Sequence, residues 1–173
     1  IKSELEKFDM VVLQHEIPLE TVHYVIEFCY EKGIKIVLNP APAAAVPMEI
    51  IDKVTYVTPN EHEAVLIFGD KLSTEDLLRK YPEKLVITQG SRGVSTCLKD
   101  GRILNIPARK AQVVDTTGAG DTLNGAFSVQ IAEGKAIEDA LTYANVAASL
   151  STEKFGAQTG MPTAEEVETE LKK

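Results

Sequence analysis

The sequence predicts an α/β fold in which a mainly parallel sheet is flanked by helices. Short apolar runs such as "IKIVL" and "KLVIT" alternate with segments whose apolar residues recur at helical spacing. This strand–helix–strand order implies right-handed crossovers and parallel strands. Because 44% of the 173 residues are hydrophobic, the chain is long enough to bury one sizeable core. We therefore expect residues 1–173 to form one domain or part of a larger one.

The first half of the chain supplies repeated strand–helix units. The strand "FDMVVLQ" is followed by a helix that begins after Pro18 and ends at Gly33, and then by the strand "IKIVL". A short helix in "EIIDK" leads to the strand "VTYVT", and Pro59 opens a helix that ends near Gly69. The helix "TEDLLRKY" and the strand "KLVIT" follow.

The second half predicts a hairpin and three helices. "GVSTCL" and "RILNI" flank "KDG", whose Asp-Gly pair is a hairpin signal, so an antiparallel element is expected to join the sheet. Val113 and Val114 are interpreted as the end of a short strand that turns into a helix. Two longer helices are expected near 118–133 and 136–150, and a charged last helix from about residue 163.

Charge and cysteine usage exclude several classes of protein. Lys and Arg number 18 against 26 Asp and Glu, and the formal charge of -8 argues against a nucleic-acid partner. Cys29 and Cys97 lie in apolar stretches, which favours buried free thiols in a reducing, cytoplasmic setting. No segment approaches the apolar length of a membrane span, and the first residues lack a secretory signal pattern. We therefore expect a cytoplasmic protein without a membrane partner.

Four polar clusters are predicted at the carboxyl edge of the sheet, where open parallel sheets collect their ligands. They are "NPAPA" after "IKIVL", "PNEHE" after "VTYVT", "TQGSRG" after "KLVIT", and "DTTGAGD" after "QVV". Their agreement favours a binding site at this edge more strongly than any one cluster does.

The stretch "VVDTTGAGDTLNGAF" is the most informative part of the sequence. A helix is expected to begin inside it, and the unpaired N–H groups and dipole of a helix N-terminus favour an anion. Gly118 and Gly120 allow close backbone approach, so the N–H groups of residues 118–121 are predicted to face a transferring phosphoryl group. Asp121 is placed to accept a proton from an attacking hydroxyl. The alternative is a tight glycine turn in which Asp121 only complements the helix dipole.

Other motifs for nucleotide binding and hydrolysis fail. Gly134-Lys135 is followed by Ala136, so the phosphate-binding pattern G-x-x-x-x-G-K-[ST] is absent. The dinucleotide pattern G-x-G-x-x-G fails because Leu123 stands where its last glycine would be. There is no G-x-S-x-G elbow, and the three histidines show no metal-ligand spacing.

Two smaller motifs each leave two interpretations open. Asn60 and Glu63 are three residues apart at a helix start, so they either hold a hydrated Mg²⁺ ion with its phosphates or cap the helix. "TQGSRG" at residues 88–93 offers a hydroxyl and two flexible glycines, which suit either a ligand loop or an ordinary turn.

Taken in order, these motifs resemble those of the ribokinase-type carbohydrate kinases, a family that includes fructokinase and adenosine kinase. "DTTGAGDTLNGAF" is similar to the family's C-terminal signature, and "NPAPA", "TPNEHEA", "TQGSRG" and "KFGAQTGMP" also fit in order. The resemblance covers essentially the whole chain but only the C-terminal part of a typical member. It implies a ribokinase-like fold that lacks the N-terminal part and its small β-sheet lid.

The resemblance implies ATP-dependent phosphorylation of D-ribose at its 5-hydroxyl. The base that it implies is Asp121, and the anion-hole amides are those of Gly118, Ala119 and Gly120. Asn60 and Glu63 match an Asn-x-x-Glu motif that organises Mg²⁺ and phosphate, with Glu63 acting indirectly on the metal. The other implied nucleotide-site residues are Thr88, Gly90, Ser91, Gly93 and Asn145, the last beside the adenine. Glu16, in "LQHE", matches a carboxylate that contacts ribose.

The resemblance also implies a site for a monovalent cation, generally K⁺, beside the anion-hole loop. Its implied ligands are Asp115 and Thr117 on one side and backbone carbonyls around Ser151, Lys154 and Gly156 on the other. Gly160 falls where some relatives carry a side-chain ligand such as serine.

The resemblance further implies a homodimer for the full-length protein, and an isolated chain that is at best a weak kinase. Two alternatives remain at this stage. One is a non-catalytic nucleotide-binding module whose sugar site is never completed, and the other is a related sugar or nucleoside kinase.

Overall fold

The computed structural model describes residues 2–173, which form two compact units. The first unit contains residues 2–88 together with Ser95–Leu104. The second contains Gln89–Val94 together with Asn105–Lys173. Each unit is built from its own helices and buried side chains.

The first unit has a parallel sheet with helices between its strands. Its elements are α1 (Lys2–Leu5), β1 (Met10–Leu13), α2 (Leu19–Lys32), β2 (Lys35–Leu38), α3 (Met48–Lys53), β3 (Tyr56–Val57), α4 (Glu61–Phe68), α5 (Thr74–Lys80) and β4 (Val86–Thr88). Strands β1, β2 and β3 pair in that order and in parallel. An isolated parallel bridge between Val57 and Leu85 aligns the chain leading into β4 with β3. The predicted parallel sheet is therefore confirmed.

Helix α2 shows how the local sequence produces this layer. Val22, Ile26 and Cys29 recur at helical spacing and are fully buried in the core of the first unit. Gly33 ends the helix in the left-handed conformation at φ 70°, and its N–H donates to carbonyls in the last turn. The helix ends where the sequence predicts, because glycine adopts this conformation without steric cost.

A hairpin follows β4. Strands β5 (Val94–Cys97) and β6 (Ile103–Ile106) complete a three-stranded sheet in the order β4-β5-β6. The Leu98 N–H donates to the Arg102 carbonyl at 2.9 Å, and the Gly101 N–H donates to the Leu98 carbonyl at 2.9 Å. A connection this short joins only antiparallel strands, so the hairpin predicted from the Asp-Gly pair is confirmed.

The second unit is mainly helical. Its helices are α6 (Ala119–Ala132), α7 (Ile137–Ser151) and α8 (Ala164–Leu171). Helix α6 packs against α7, and α7 packs against α8. The buried side chains on these helices are Leu123, Phe127, Ile131, Ala140, Leu141, Ala144, Ala147 and Val167. All three helices begin close to their predicted positions, and α6 and α7 also end close to theirs.

The strand predicted at Val113 and Val114 is wrong. Both side chains are exposed, at 61% and 62%, and no strand is assigned between β6 and α6. The N–H groups of Val114 and Asp115 donate instead to the Thr152 carbonyl, just after α7. Two adjacent β-branched residues favour extended backbone, but a strand needs a neighbour that pairs with it. "DTTGAGD" therefore follows a loop and not the edge of a sheet.

Cys29 and Cys97 are free and buried, as predicted. Among residues 2–173, no helix combines the length and apolar character that crossing a membrane requires.

Candidate active site

Polar side chains connect the carboxyl ends of the first three strands. Gln14 follows β1, and its Nε2 donates to Oδ1 of Asn39 at 3.1 Å. Asn39 follows β2, and its Nδ2 donates to the Thr58 carbonyl, just after β3, at 3.0 Å. Asn39 is buried, so this hydrogen-bonded row is part of the first unit's interior. The predicted placement of "NPAPA" and "PNEHE" after neighbouring parallel strands is confirmed, although the amide pair Gln14 and Asn39 was not singled out from the sequence.

Two predicted ligand-binding residues lie along the same edge. Glu16 is exposed on the segment that follows β1. Thr88 ends β4 and forms an isolated parallel bridge with Asn60, with its N–H donating to the Pro59 carbonyl at 3.0 Å. The first unit thus places Glu16, Asn60 and Thr88 at the carboxyl ends of β1, β3 and β4, respectively.

Asn60 and Glu63 form a complete capping box at the start of α4. The Asn60 side chain accepts the Glu63 N–H at 2.9 Å, and the Glu63 carboxylate accepts the Asn60 backbone N–H at 2.8 Å. The other carboxylate oxygen accepts Asn60 Nδ2 at 2.8 Å. The capping interpretation is therefore confirmed. Each Glu63 oxygen accepts one of these hydrogen bonds and therefore keeps a second lone pair.

"TQGSRG" forms a short 3₁₀ turn, Gly90–Arg92, that ends at Gly93. Gly93 has φ +95°, and a β-carbon on it would overlap the Ile106 carbonyl oxygen and crowd the backbone at Pro107. The Pro107 carbonyl accepts Nδ2 of the buried Asn145 at 2.7 Å. In the second unit, Gly93 therefore packs against the backbone at Pro107, and Asn145 holds that segment by its hydrogen bond to the Pro107 carbonyl.

The N-terminus of α6 carries the candidate catalytic group. Gly118 precedes the helix in the left-handed conformation at φ 80°, which glycine adopts readily. Asp121 is exposed in the first turn. The Ala119 N–H donates to the Thr116 carbonyl at 3.2 Å, whereas the N–H groups of Gly118 and Gly120 have no acceptor among residues 2–173. Two of the three predicted anion-hole amides are thus unpaired in this structure.

Two buried side chains that the sequence analysis missed brace this turn. Thr122 Oγ1 donates to the Gly118 carbonyl at 2.9 Å, and Asn124 Nδ2 donates to the Gly120 carbonyl at 2.9 Å. Both bonds tie up carbonyl oxygens, which leaves the amide faces of the glycines as the polar groups open to a ligand. The signal was present as polar residues four positions after each glycine.

The Asp115 carboxylate organises a loop beside α6. One oxygen accepts the Thr117 N–H at 2.9 Å, and the other accepts the Gly156 N–H at 2.9 Å. Hydrogen bonds from Thr117 and from the Gly156 backbone hold the pKa of this carboxyl below its ordinary value of 3.8. Asp115, Thr117 and Gly156, all predicted cation ligands, are therefore close together in the second unit.

Three backbone carbonyls converge beside Gly160. A β-carbon on Gly160 would lie 2.7 Å from the carbonyl oxygens of Ser151 and Gly156 and 3.4 Å from that of Lys154. These are the three carbonyls predicted from the resemblance. Neutral carbonyl oxygens together with one carboxylate are a donor set that fits a singly charged ion, and no group of three or more His, Cys, Asp or Glu side chains suited to a metal occurs among residues 2–173.

The chain matches a known family of kinases. Residues 1–164 match the pfkB family carbohydrate kinases. The chain belongs to the pfkB family of carbohydrate kinases. Curated members similar to it include the ribokinase of Bacillus subtilis, 53% identical over 166 residues, and that of Lactococcus lactis, 48% identical over 171 residues. The deoxyribokinase of Salmonella typhimurium is 33% identical over 173 residues.

Solved structures of pfkB-type kinases share the fold. A ribokinase from Thermotoga maritima is 35% identical, with a TM-score of 0.87, and the match covers 99% of this chain and 59% of that one. An Arabidopsis thaliana ribokinase complexed with ribose and ATP is 29% identical, with a TM-score of 0.90, covering 99% of this chain and 58% of that one. The predicted ribokinase-like α/β fold is confirmed.

The match is partial in the other direction. The match to the Bacillus subtilis relative covers 96% of this chain and 56% of that protein. The match to the Lactococcus lactis relative covers 98% of this chain and 56% of that protein. The chain thus spans a little over half the length of these two relatives.

Proposed function

We propose that the protein containing this chain transfers the γ-phosphoryl group of ATP to the 5-hydroxyl of D-ribose. Support comes from the names of its relatives, since those at 53% and 48% identity are both ribokinases. Their names favour ribose as the acceptor.

The start of α6 carries the proposal. The exposed Asp121 stands in the first turn of a helix that opens with Gly118, Ala119 and Gly120. A helix N-terminus favours the charge that develops on a migrating phosphoryl group, and a carboxylate beside it suits a general base. The capping box and the carbonyl cluster occur in proteins with many functions. The combination of free amides and a carboxylate in the first turn of α6 is what favours phosphoryl transfer.

In the proposed step, Asp121 accepts the proton of the sugar 5-hydroxyl. The deprotonated oxygen forms a bond to the γ-phosphorus, the bond from that phosphorus to the β–γ bridging oxygen breaks, and ADP leaves. The amides of Gly118 and Gly120 donate to the transferring group. The Ala119 amide joins them once its 3.2 Å bond to Thr116 is shared or released.

Both proposed ions fit residues that are present. Mg²⁺ would be oriented through water by Asn60 and Glu63, and K⁺ would be held by Asp115, Thr117 and the carbonyls of Ser151, Lys154 and Gly156. Bound there, the ions neutralise phosphate charge and stabilise the loop that precedes α6. The capping box holds the side chains of Asn60 and Glu63 in place before an ion binds. The hydrogen bonds from Thr117 and Gly156 hold the Asp115 carboxylate in the same way.

We also propose roles for the remaining predicted residues. The nucleotide would contact Thr88, Gly90, Ser91 and Gly93, with Asn145 beside the adenine, and Glu16 would contact the ribose. A cytoplasmic homodimer remains our proposal for the full-length protein.

The test compares two aspartates at equivalent helix positions in the full-length protein. Asp121 and Asp139 are each the third residue of a long helix, α6 and α7 respectively, and both are exposed. We expect Asp121→Asn to lower kcat for ribose phosphorylation about 10²- to 10⁴-fold. Asp139→Asn controls for the loss of a first-turn charge and is expected to retain the activity. Undiminished turnover by Asp121→Asn would exclude the assigned base.

Calorimetry separates the proposed kinase from a nucleotide-binding module. The protein is titrated with ATP and Mg²⁺ in the presence and absence of ribose. Product formation and ribose binding support the kinase, whereas nucleotide binding without sugar turnover favours the module.

A further inference from the structure

The side-chain amide of Asn39 joins three strand ends in the first unit. Asn39 follows β2 and is only 8% exposed. Its Oδ1 accepts Gln14 Nε2 at 3.1 Å, and its Nδ2 donates to the Thr58 carbonyl at 3.0 Å. Both ends of the amide are therefore engaged, one with the chain after β1 and the other with the chain after β3.

The sheet does not need these side-chain bonds in order to pair. The Asn39 N–H already donates to the Leu13 carbonyl at 2.9 Å, and the Thr58 N–H donates to the Leu38 carbonyl at 2.9 Å. Burying an amide costs free energy, and an apolar side chain of similar shape is often as stabilising as a hydrogen-bonded polar one. An amide at this buried position is therefore better explained by the geometry that it holds than by stability alone.

The two partners of Asn39 lead directly to residues with proposed roles. Gln14 lies two positions before Glu16, and Thr58 lies two positions before Asn60. Two residues of chain span at most about 7 Å. The Asn39 amide therefore holds the two places from which the proposed sugar ligand Glu16 and the proposed Mg²⁺ residue Asn60 extend.

The Glu16 segment depends on Asn39 more than Asn60 does. The His15 N–H donates to the Ala41 carbonyl at 2.8 Å, so the chain before Glu16 rests on the same loop that Asn39 begins. Asn60 has a further anchor, because its side chain is fixed by the capping box of α4. Loss of the amide is thus expected to displace Glu16 while Asn60 keeps its place.

We propose that Asn39 is a positioning residue for the sugar site, acting through Gln14 on the segment that carries Glu16. This inference rests on the proposed ribose phosphorylation and on the proposed contact of Glu16 with the sugar. A displaced Glu16 carboxylate loses its hydrogen bond to ribose, which weakens binding of the sugar. Binding of ATP is preserved, because Asn60 remains anchored.

A purely structural role for Asn39 predicts a different result. The loss of a buried hydrogen bond that only supports the fold lowers stability and does not distinguish one substrate from the other. A positioning role raises the KM for ribose and leaves the KM for ATP nearly unchanged, since only the contact with the sugar is lost.

The experiment measures both KM values for the full-length protein, with ribose and ATP varied in turn. Asn39→Leu removes both side-chain hydrogen bonds at similar volume. It is expected to raise the KM for ribose about 10- to 100-fold, the cost of one hydrogen bond to a charged group, and to change the KM for ATP less than about twofold. The control is Thr96→Val, which removes the 2.8 Å bond from a fully buried hydroxyl to the Leu85 carbonyl in the same unit. This control is expected to lower the unfolding midpoint and to keep both KM values.

A second variant tests the path through Gln14. Gln14→Met removes the amide that donates to Asn39 and leaves the bond from Asn39 to Thr58 available. It is expected to raise the KM for ribose selectively. Combined with Asn39→Leu, it is expected to add less than its separate effect, because both changes break the same bond. Additive effects would contradict the proposed path.

The outcomes separate this inference from the proposed function. An active wild-type enzyme with an unchanged KM for ribose in Asn39→Leu, or with equal rises for ribose and ATP, overturns the inference and leaves the proposed function standing. A rise of the same size in Thr96→Val also overturns it. A full-length wild-type protein that does not phosphorylate ribose overturns the proposed function, and the inference falls with it. If Asn39→Leu does not fold, Gln14→Met decides by the same two KM values.

Discussion

The carboxylate of Asp115 accepts the backbone N–H of Gly156 at 2.9 Å, although 41 residues separate them in the sequence. Its second oxygen accepts the Thr117 N–H, so both oxygens are engaged. These bonds favour the charged carboxylate and hold its pKa below 3.8. The loop before α6 and the segment after α7 are joined by a contact that depends on this charge.

The Asp115 contact predicts a loss of stability in acid. The folded protein binds a proton to Asp115 less readily than the unfolded chain does, so the contribution is present above the ordinary pKa of 3.8 and is lost as pH falls through the lower folded value. Asp115→Asn is expected to lower the unfolding midpoint at neutral pH and to lose less stability in acid. Urea unfolding as a function of pH measures both effects. Asp70→Asn, at an exposed carboxylate, is the control, and equal acid profiles for the two variants would contradict the prediction.

His15 predicts a second pH dependence at higher pH. Its Nδ1 lies 3.2 Å from the Pro42 carbonyl, which makes Nδ1 the protonated nitrogen, while Nε2 is buried without a partner among residues 2–173. Burial lowers its pKa from 6.5, the nearby His23 lowers it further, and the Pro42 bond and Glu63 oppose the shift. Stability is therefore expected to be complete above 6.5 and to decrease as pH falls through the folded value.

Replacing His15 with leucine is expected to flatten the stability profile between about pH 8 and pH 5, since no buried imidazole then has to acquire a charge. The control is His62→Gln, which removes an exposed imidazole from the same unit. Equal flattening by the two variants would argue against a special role for His15.

The two capping boxes allow a matched test of Asn60. Asn60 with Glu63 caps α4, and Thr163 with Glu166 caps α8 in the same way. Asn60→Ala and Thr163→Ala are each expected to lower the free energy of unfolding by about 0.5–2 kcal/mol. Only Asn60→Ala is expected to weaken the apparent Mg²⁺ affinity of the full-length enzyme, by about 10- to 100-fold. Equal Mg²⁺ dependence in both variants would leave Asn60 with the capping role alone.

Substituting Gly93 is expected to cost more stability than its positive φ alone would explain, because a β-carbon there has no room. Gly93 and Gly101 both have positive φ, at +95° and +86°, but a β-carbon on Gly101 meets nothing within 4 Å. Gly101→Ala is expected to cost about 1–2 kcal/mol from backbone strain. Gly93→Ala is expected to cost about 1–3 kcal/mol more, because its β-carbon overlaps the Ile106 carbonyl. Calorimetric unfolding of the two variants measures the difference, and similar losses would refute the close packing.

Local patterns account for most of the fold. The alternation of apolar runs with helical segments predicts the parallel order of β1, β2 and β3, and the Asp-Gly pair predicts the hairpin. Gly33 ends α2 as expected. These features were predictable because helix periodicity, glycine conformation and turn chemistry depend on residues a few positions apart.

The roles of the site residues stay predictions. The positions of some of them follow from neighbouring residues, whereas the contacts of others depend on residues far away in the sequence. Asp121 in the first turn of α6 and the capping box at Asn60 follow from neighbouring residues. The hydrogen bond from Asn145 to the Pro107 carbonyl joins residues 38 positions apart, and no local sequence pattern predicts it.

Most of the element order from β1 onward and the helix start that carries Asp121 follow from side-chain type and spacing along the chain. Only the packing of distant segments leaves Val113 and Val114 outside any sheet and brings three carbonyls together beside Gly160. Every residue carries the same backbone carbonyl, so its direction becomes known only when distant segments are packed together.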